Sequence, residues 1–166
     1  MHNFDLLIKT ALVCMFSDGI ADHAEMEKIS QYIDSGGGDS IDARRKKMID
    51  YADNYKSDKD SFIKTYFHEL MAEELSTTEQ CLIIRCALDI IQADDSVDYS
   101  EIVLFKLIRA HLNILDSDLE RYVPQSIEYL ARDVSKKSIS DRVIEYISSI
   151  SCENITNNLD ELLTKE

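Results

Sequence analysis

Apolar side chains recur at helical spacing along almost the whole chain. Phe4, Leu7, Ile8, Ala11, Leu12 and Met15 share one face and predict a first helix. Met26, Ile29 and Ile33, with Tyr32 beside them, predict a second. The stretch SGGGDS, Ser35 to Ser40, then breaks the chain and holds its only glycine cluster. Asp39 or Ser40 is placed to cap a third helix running through Met48, Ile49 and Ala52. The stretch NYKSDKD, Asn54 to Asp60, is polar and reads as a turn, and Phe62, Tyr66, Phe67 and Leu70 carry a fourth helix. Ser76 followed three residues on by Glu79 is a capping-box pattern, and it opens a long apolar fifth helix through Leu82, Ile83, Cys86, Leu88, Ile90 and Ile91. Glu101 to Leu112 predicts a sixth, with Ile102, Phe105, Leu107 and Ile108 inward. Ser117 with Glu120 repeats the box and predicts the start of a seventh, which Pro124 either enters in its first turns or cuts short. Tyr129, Val143, Ile144, Ile147 and Ile150 imply one or two more, and the polar end from Cys152 reads as a short frayed helix. No stretch alternates as a strand would. The pattern predicts an all-α, single-domain bundle of about seven to nine helices over residues 1–166.

Composition agrees with this class. A chain of 166 residues buries about 68–70% of its unfolded surface. The 45% apolar and 30% charged residues are a globular balance, and four glycines with one proline are too few for the many turns of an all-β fold. Charge narrows the choice of partner. Eighteen basic residues against 32 acidic leave a net charge of −14. Phosphate backbones and anionic headgroups repel such a chain, so nucleic acid is not an expected ligand; cations and basic protein surfaces are. No run of about 18 apolar residues exists to span a membrane. The N-terminal stretch lacks a basic n-region, which makes cytoplasmic residence the expectation. Cys14, Cys81 and Cys86 sit in apolar helical context and read as buried reduced thiols, and the four cysteines include no C-x-x-C pair.

Part of the chain repeats. Ala11 to Glu25 laid on Ala87 to Glu101, an offset of 76 residues, matches Ala11, Leu12, Asp18, Asp22 and Glu25 with Ala87, Leu88, Asp94, Asp98 and Glu101. Composition alone predicts roughly one match over such a length. Three of the five are loop acids. A repeated helix–turn–helix of this kind implies two copies, about residues 5–34 and 80–112, packed around a pseudo-two-fold axis.

Those acids have two readings. Hard divalent cations take oxygen ligands, and Asp18, Asp22 and Glu25 in one turn with Asp94, Asp98 and Glu101 in the other supply six carboxylates, with Asp95 as a spare. His23 would add a nitrogen that favours Zn²⁺ or Mn²⁺ over Ca²⁺ or Mg²⁺. The acids fall at positions 1, 5 and 8 of each turn, which is not EF-hand spacing. The other reading is capping. Asp22 with Glu25, and Asp98 with Glu101, have the N-cap-to-N3 spacing, and Gly19 suits the left-handed residue that ends a helix. Capping leaves Asp18 and Asp94 unexplained. Each lies near a helix C-terminus, where a carboxylate needs a cation or a turn hydrogen bond.

The order of apolar helix, Asp-Gly-x-x-Asp-x-x-Glu and apolar helix resembles the tellurite-resistance TerB family and its relatives with a DjlA N-terminal-like helical fold. The second copy, CALDIIQADDSVDYSEIVLFKLIRAHLNI (Cys86 to Ile114), carries the likeness furthest, and together the resemblance covers roughly residues 5–34 and 80–125. It implies two similar helical halves, a divalent-metal site built from the loop acids, and a part in metal-stress response with other proteins, including membrane-associated components. The second turn departs from the family pattern at Asp95, where glycine is usual. Aspartate tolerates a left-handed backbone at some cost.

Catalytic signals are absent, so no enzymatic activity is expected. His68 begins an H-E-x-x-H frame whose last position is Ala72, and His2 and His111 have no ligand spacing. No serine lies in G-x-S-x-G, and SGGGDS is no phosphate loop. The basic run Arg44 to Lys47 reads as a solvated face, either pairing with the chain's own acids or marking a contact site, and the tyrosines read as core and rim.

Overall fold

A computed structural model describes residues 4–17, 19, 21–94, 96–129 and 137–150. They form eight α-helices and one 3₁₀ segment, with no strand among the described residues. The helices are α1 (Phe4–Met15), α2 (His23–Ser35), α3 (Ile41–Ser57), α4 (Lys59–Ala72), α5 (Thr77–Ile91), α6 (Tyr99–Ala110), α7 (Asp116–Tyr122) and α8 (Ile139–Ser149). The 3₁₀ segment, Pro124–Tyr129, lies between α7 and α8.

α1 is the hub. Of its side chains only Asp5 and Lys9 escape burial. A helix apolar all round must be enclosed, and α1 packs on α2, α3, α4, α5 and α6, most extensively on α5. Each large aliphatic side chain enclosed in this way contributes roughly 1.5–3 kcal/mol relative to exposure. The two polar exits are paired, Lys9 with Glu69 of α4 at 2.6 Å and Asp5 with Lys47 of α3 at 2.8 Å. The buried Thr10 hydroxyl lies 2.8 Å from the Leu6 carbonyl and 3.0 Å from the Tyr66 hydroxyl. Between α1, α3 and α4 the Phe16 and Tyr55 rings pack at 4.7 Å, with Phe62 edge-on to Tyr55. Tyr55 and Tyr66 are core residues and Tyr99 and Tyr122 are exposed, as expected of tyrosines divided between core and rim.

The helix ends follow side-chain chemistry. Ser40 caps α3 through the Ala43 N–H at 3.2 Å, and Ser76 with Glu79 forms the expected capping box on α5. Two sequence readings change, and a third, open between two alternatives at Pro124, is decided. NYKSDKD is helical except at Asp58, the single residue between α3 and α4, whose side chain caps α4 through the Ser61 N–H at 3.0 Å. Ser117 is inside α7, because the helix starts after Leu115, with Asp116 tied to Arg109 at 2.8 Å and Leu119 setting the buried face. Pro124 stands just past α7 and so ends it. Lys59 at the start of α4 closes the end of α8, donating to Ile147 and Ile150 carbonyls at 3.2 and 2.7 Å.

The basic run also departs from the solvated-face reading at one position. Arg44 is buried, its Nε donating to the Ile33 carbonyl at 2.7 Å and its Nη1 to the Asp39 carbonyl, over the Phe4 ring. The guanidinium satisfies backbone acceptors at the end of α2 that no helical N–H can reach. Arg45 and Lys47 pair with the chain's own acids, Asp34, Asp5 and Asp39. Reading from Cys152 onward falls outside the described residues, as does His2.

Candidate metal centre: the two acidic turns

The first turn unwinds α1 in steps. The Phe16 and Ser17 N–H groups donate to the Leu12 and Cys14 carbonyls, and Gly19 donates to Phe16 at 3.2 Å with φ of 81°. That is the left-handed conformation a glycine is needed for. Asp22 then takes up the extended N-cap conformation and accepts the Ala24 N–H at 2.7 Å, while Glu25 Oε2 accepts the Asp22 N–H at 3.0 Å. The second turn follows the same plan. α5 ends at Ile91 and α6 is capped at Asp98, each 76 residues beyond its counterpart, Met15 and Asp22. Asp98 has nearly the backbone angles of Asp22, and Glu101 Oε2 accepts its N–H at 2.7 Å. Both turns carry the capping box that the Asp-x-x-Glu spacing predicts.

Asp94 has the turn hydrogen bond that its place at the end of a helix calls for. Its Oδ1 accepts the Ser96 N–H at 2.9 Å, an Asx turn that holds the carboxylate against the backbone. Asp18 and Asp95 lie outside the described residues. Beside Asp18, the Ser17 hydroxyl is buried without a hydrogen-bond partner.

Each turn sends one glutamate into the interior. Glu25 and Glu101 are buried, at 4% and 5% exposure, although both are ionisable. Burial pushes the Cys14 thiol well above its ordinary pKa; Cys86 raises it further, and so do Glu101 and Glu25. The carboxylates of both capping boxes are therefore within electrostatic reach of one sulfur on α1. α1 also packs on α6 and α2 on α5, and the Tyr32 hydroxyl donates to Asp89 at 2.6 Å across the second of these contacts. Asp22 is half-buried, while Asp94, Asp98 and His23 are exposed. Among the described residues no group of three or more His, Cys, Asp or Glu side chains is arranged to hold a metal ion. The donors of the turns are hard oxygens, the class that suits Ca²⁺, Mg²⁺ or Mn²⁺, and His23 is exposed whereas the two glutamates are buried.

The other candidates resolve structurally. Cys14, Cys81 and Cys86 are buried free thiols, and burial raises the pKa of each. His68 is exposed and its neighbour Glu69 is bound to Lys9. His111 stacks on Phe67 with ring centroids 4.5 Å apart and bonds through Nδ1 to the Leu107 carbonyl at 2.7 Å. Sequence reasoning missed a groove of about 300 Å³ at Thr77, Cys81, Arg85 and Tyr122, because it joins α5 to the end of α7. There Arg85 donates to the Tyr122 carbonyl at 2.7 Å. No helix among the described residues is long and apolar enough to cross a membrane. No family model, curated protein or solved structure matches the chain.

Proposed function

We propose that this chain is a non-enzymatic, TerB-like stress-response protein that binds a divalent cation through its paired acidic turns and acts through partner proteins. The observation that supports the reading is the burial of two ionisable glutamates, Glu25 and Glu101, at equivalent places in turns 76 residues apart. In this reading the six acids of the two turns, Asp18, Asp22, Glu25, Asp94, Asp98 and Glu101, supply the oxygen ligands. Buried carboxylates lower their cost by pairing or by meeting a cation. With a net charge of −14, a bound cation would also relieve self-repulsion. Cytoplasmic residence and a part in metal stress belong to the same reading.

A metal-free helical interaction module is the second reading. It is favoured by the backbone N–H groups that already occupy Asp22, Glu25, Asp94 and Glu101. Calorimetric titration with Ca²⁺, Mn²⁺ and Zn²⁺ separates the two. Saturable binding below roughly millimolar, lost in the Asp18→Asn, Asp94→Asn double variant with helical content retained, supports the metal site. Asparagine still makes the turn bond, so the fold is expected to survive. No binding by the wild-type chain would leave the interaction module.

A further inference from the structure

The groove of about 300 Å³ between α5 and the end of α7 uses no residue of the acidic turns. One face of α5 supplies most of it. Thr77, Cys81 and Arg85 follow one another at intervals of four, with Thr78 and Leu82 in the next row. From Thr77 to Arg85 the groove runs about 12 Å along the helix. Tyr122 forms the opposite wall and is 46% exposed, so its ring is not spent on the core.

Charge is uneven along this groove. Arg85 Nη2 donates to the Tyr122 carbonyl at 2.7 Å, so the guanidinium itself joins the two walls. Arg85 is exposed, and that bond uses one of its five N–H donors. No carboxylate pairs with it among the described residues. The Arg121 guanidinium stands 5.3 Å from the centre of the Tyr122 ring and adds a second positive charge at this end. The acids lie towards the other end. Burial does most to raise the pKa of the Cys81 thiol; Asp118, one turn before Tyr122 on α7, raises it further, and Arg85 lowers it. Glu79, in the first turn of α5, accepts from the Ser76 N–H and hydroxyl at 3.0 and 2.7 Å. Between the two ends the floor is Cys81 and Leu82, both apolar.

We propose that this groove binds a small amphipathic carboxylate, of the class of medium-chain fatty acids, with its head group on Arg85 and its hydrocarbon body along Tyr122, Leu82 and Cys81. A guanidinium meets a carboxylate through two parallel N–H donors, and Arg85 has enough left to supply them. Asp118 and Glu79 set the direction, because an anionic head at the start of α5 would face both. Thr77 and Thr78 are exposed and open that end to water, so a tail longer than the floor gains little. Elsewhere the net charge of −14 repels such anions, which confines their binding to the groove.

The test is an amide NMR titration of the full chain with butanoate, octanoate and dodecanoate below their micellar concentrations. Octylammonium, with the same tail as octanoate and the opposite charge, is the control at matched ionic strength. Saturable shifts at Cys81, Leu82, Arg85 and Tyr122 are expected with octanoate and not with octylammonium. Affinity should rise about two- to fourfold per methylene from butanoate to octanoate and then level off towards dodecanoate. Arg85→Met should weaken octanoate binding at least about tenfold, as expected for lost hydrogen bonds to a charged group, and Arg85→Lys should retain part of it. Thr78→Trp, at an exposed helical position that leaves Arg85 and the core in place, should fill the groove and abolish binding, with circular dichroism checking that the helices remain. Absence of saturable shifts at the four residues, equal shifts from octylammonium, or affinity that does not change from butanoate to octanoate would overturn the proposal. So would undiminished octanoate binding by either Arg85→Met or Thr78→Trp.

Discussion

Arg44 Nε, on the first turn of α3, lies 2.7 Å from the carbonyl oxygen of Ile33 on the last turn of α2. One side chain thus closes the helix before it and pins the glycine linker through Asp39. Replacing Arg44 with Met should cost about 2–3 kcal/mol, since buried carbonyls lose a charged donor. Arg44→Lys should recover little of this, because a single ammonium cannot reproduce the planar fork. Urea unfolding monitored by circular dichroism gives both values, and a lysine variant as stable as wild type would contradict the geometry.

Gly36 and Gly37 are neighbours with opposite tolerance. A Cβ on Gly36 would run into the Phe4 ring, whereas one on Gly37 meets nothing. Gly36→Ala should destabilise by about 1–3 kcal/mol through displacement of Phe4. Gly37→Ala should be neutral or stabilising by about 0.4–1 kcal/mol, through a less free unfolded chain. Paired thermal melts are sufficient to compare them.

The acids of the turns differ in what they hold. Asp22→Ala removes a side-chain cap with a 2.7 Å bond and should cost about 1 kcal/mol. Asp22→Asn should cost only a few tenths, because the amide oxygen caps equally well. If Asp22→Asn were as damaging as Asp22→Ala, the carboxylate charge rather than the cap would be what matters there.

His111 ties stability to pH. Burial lowers its pKa in the folded chain, so between that value and the unfolded value of about 6.5 the unfolded state binds more protons. Stability from this group is therefore complete above about pH 6.5 and declines as pH falls through the window beneath it. Comparing wild type with His111→Gln by urea unfolding from pH 5 to 7 should give curves that converge towards low pH. Parallel curves would show that the ring titrates normally.

What was legible in the chain was local. The boxes at Asp22, Ser76 and Asp98 need only residues three apart, and all three form. The same signal places the start of α5, whereas α6 runs Tyr99–Ala110 rather than Glu101 to Leu112. Asp58 was missed because one extended residue between two helices leaves almost no compositional trace. Arg44 reads as one more charge in a basic run until the chain turns back and brings the end of α2 beside it. The groove at Thr77, Cys81, Arg85 and Tyr122 is less legible still, since α5 and the end of α7 meet only once the chain has folded. Asp94 was singled out as an acid in need of a partner, and the Ser96 N–H supplies one.

The enclosure of α1 also has a consequence for synthesis. Its principal partner, α5, begins at Thr77, about 60 residues after α1 ends at Met15. At roughly 5–20 residues per second, the ribosome takes several seconds to supply it. Throughout that interval an apolar helix with almost no polar face is outside the ribosome with its main docking surface unmade. The contact of the Cys86 thiol with the Leu7 carbonyl, 79 residues apart, cannot form until α5 has emerged. Between the emergence of α1 and that of α5, this segment is a ready client for a ribosome-associated chaperone.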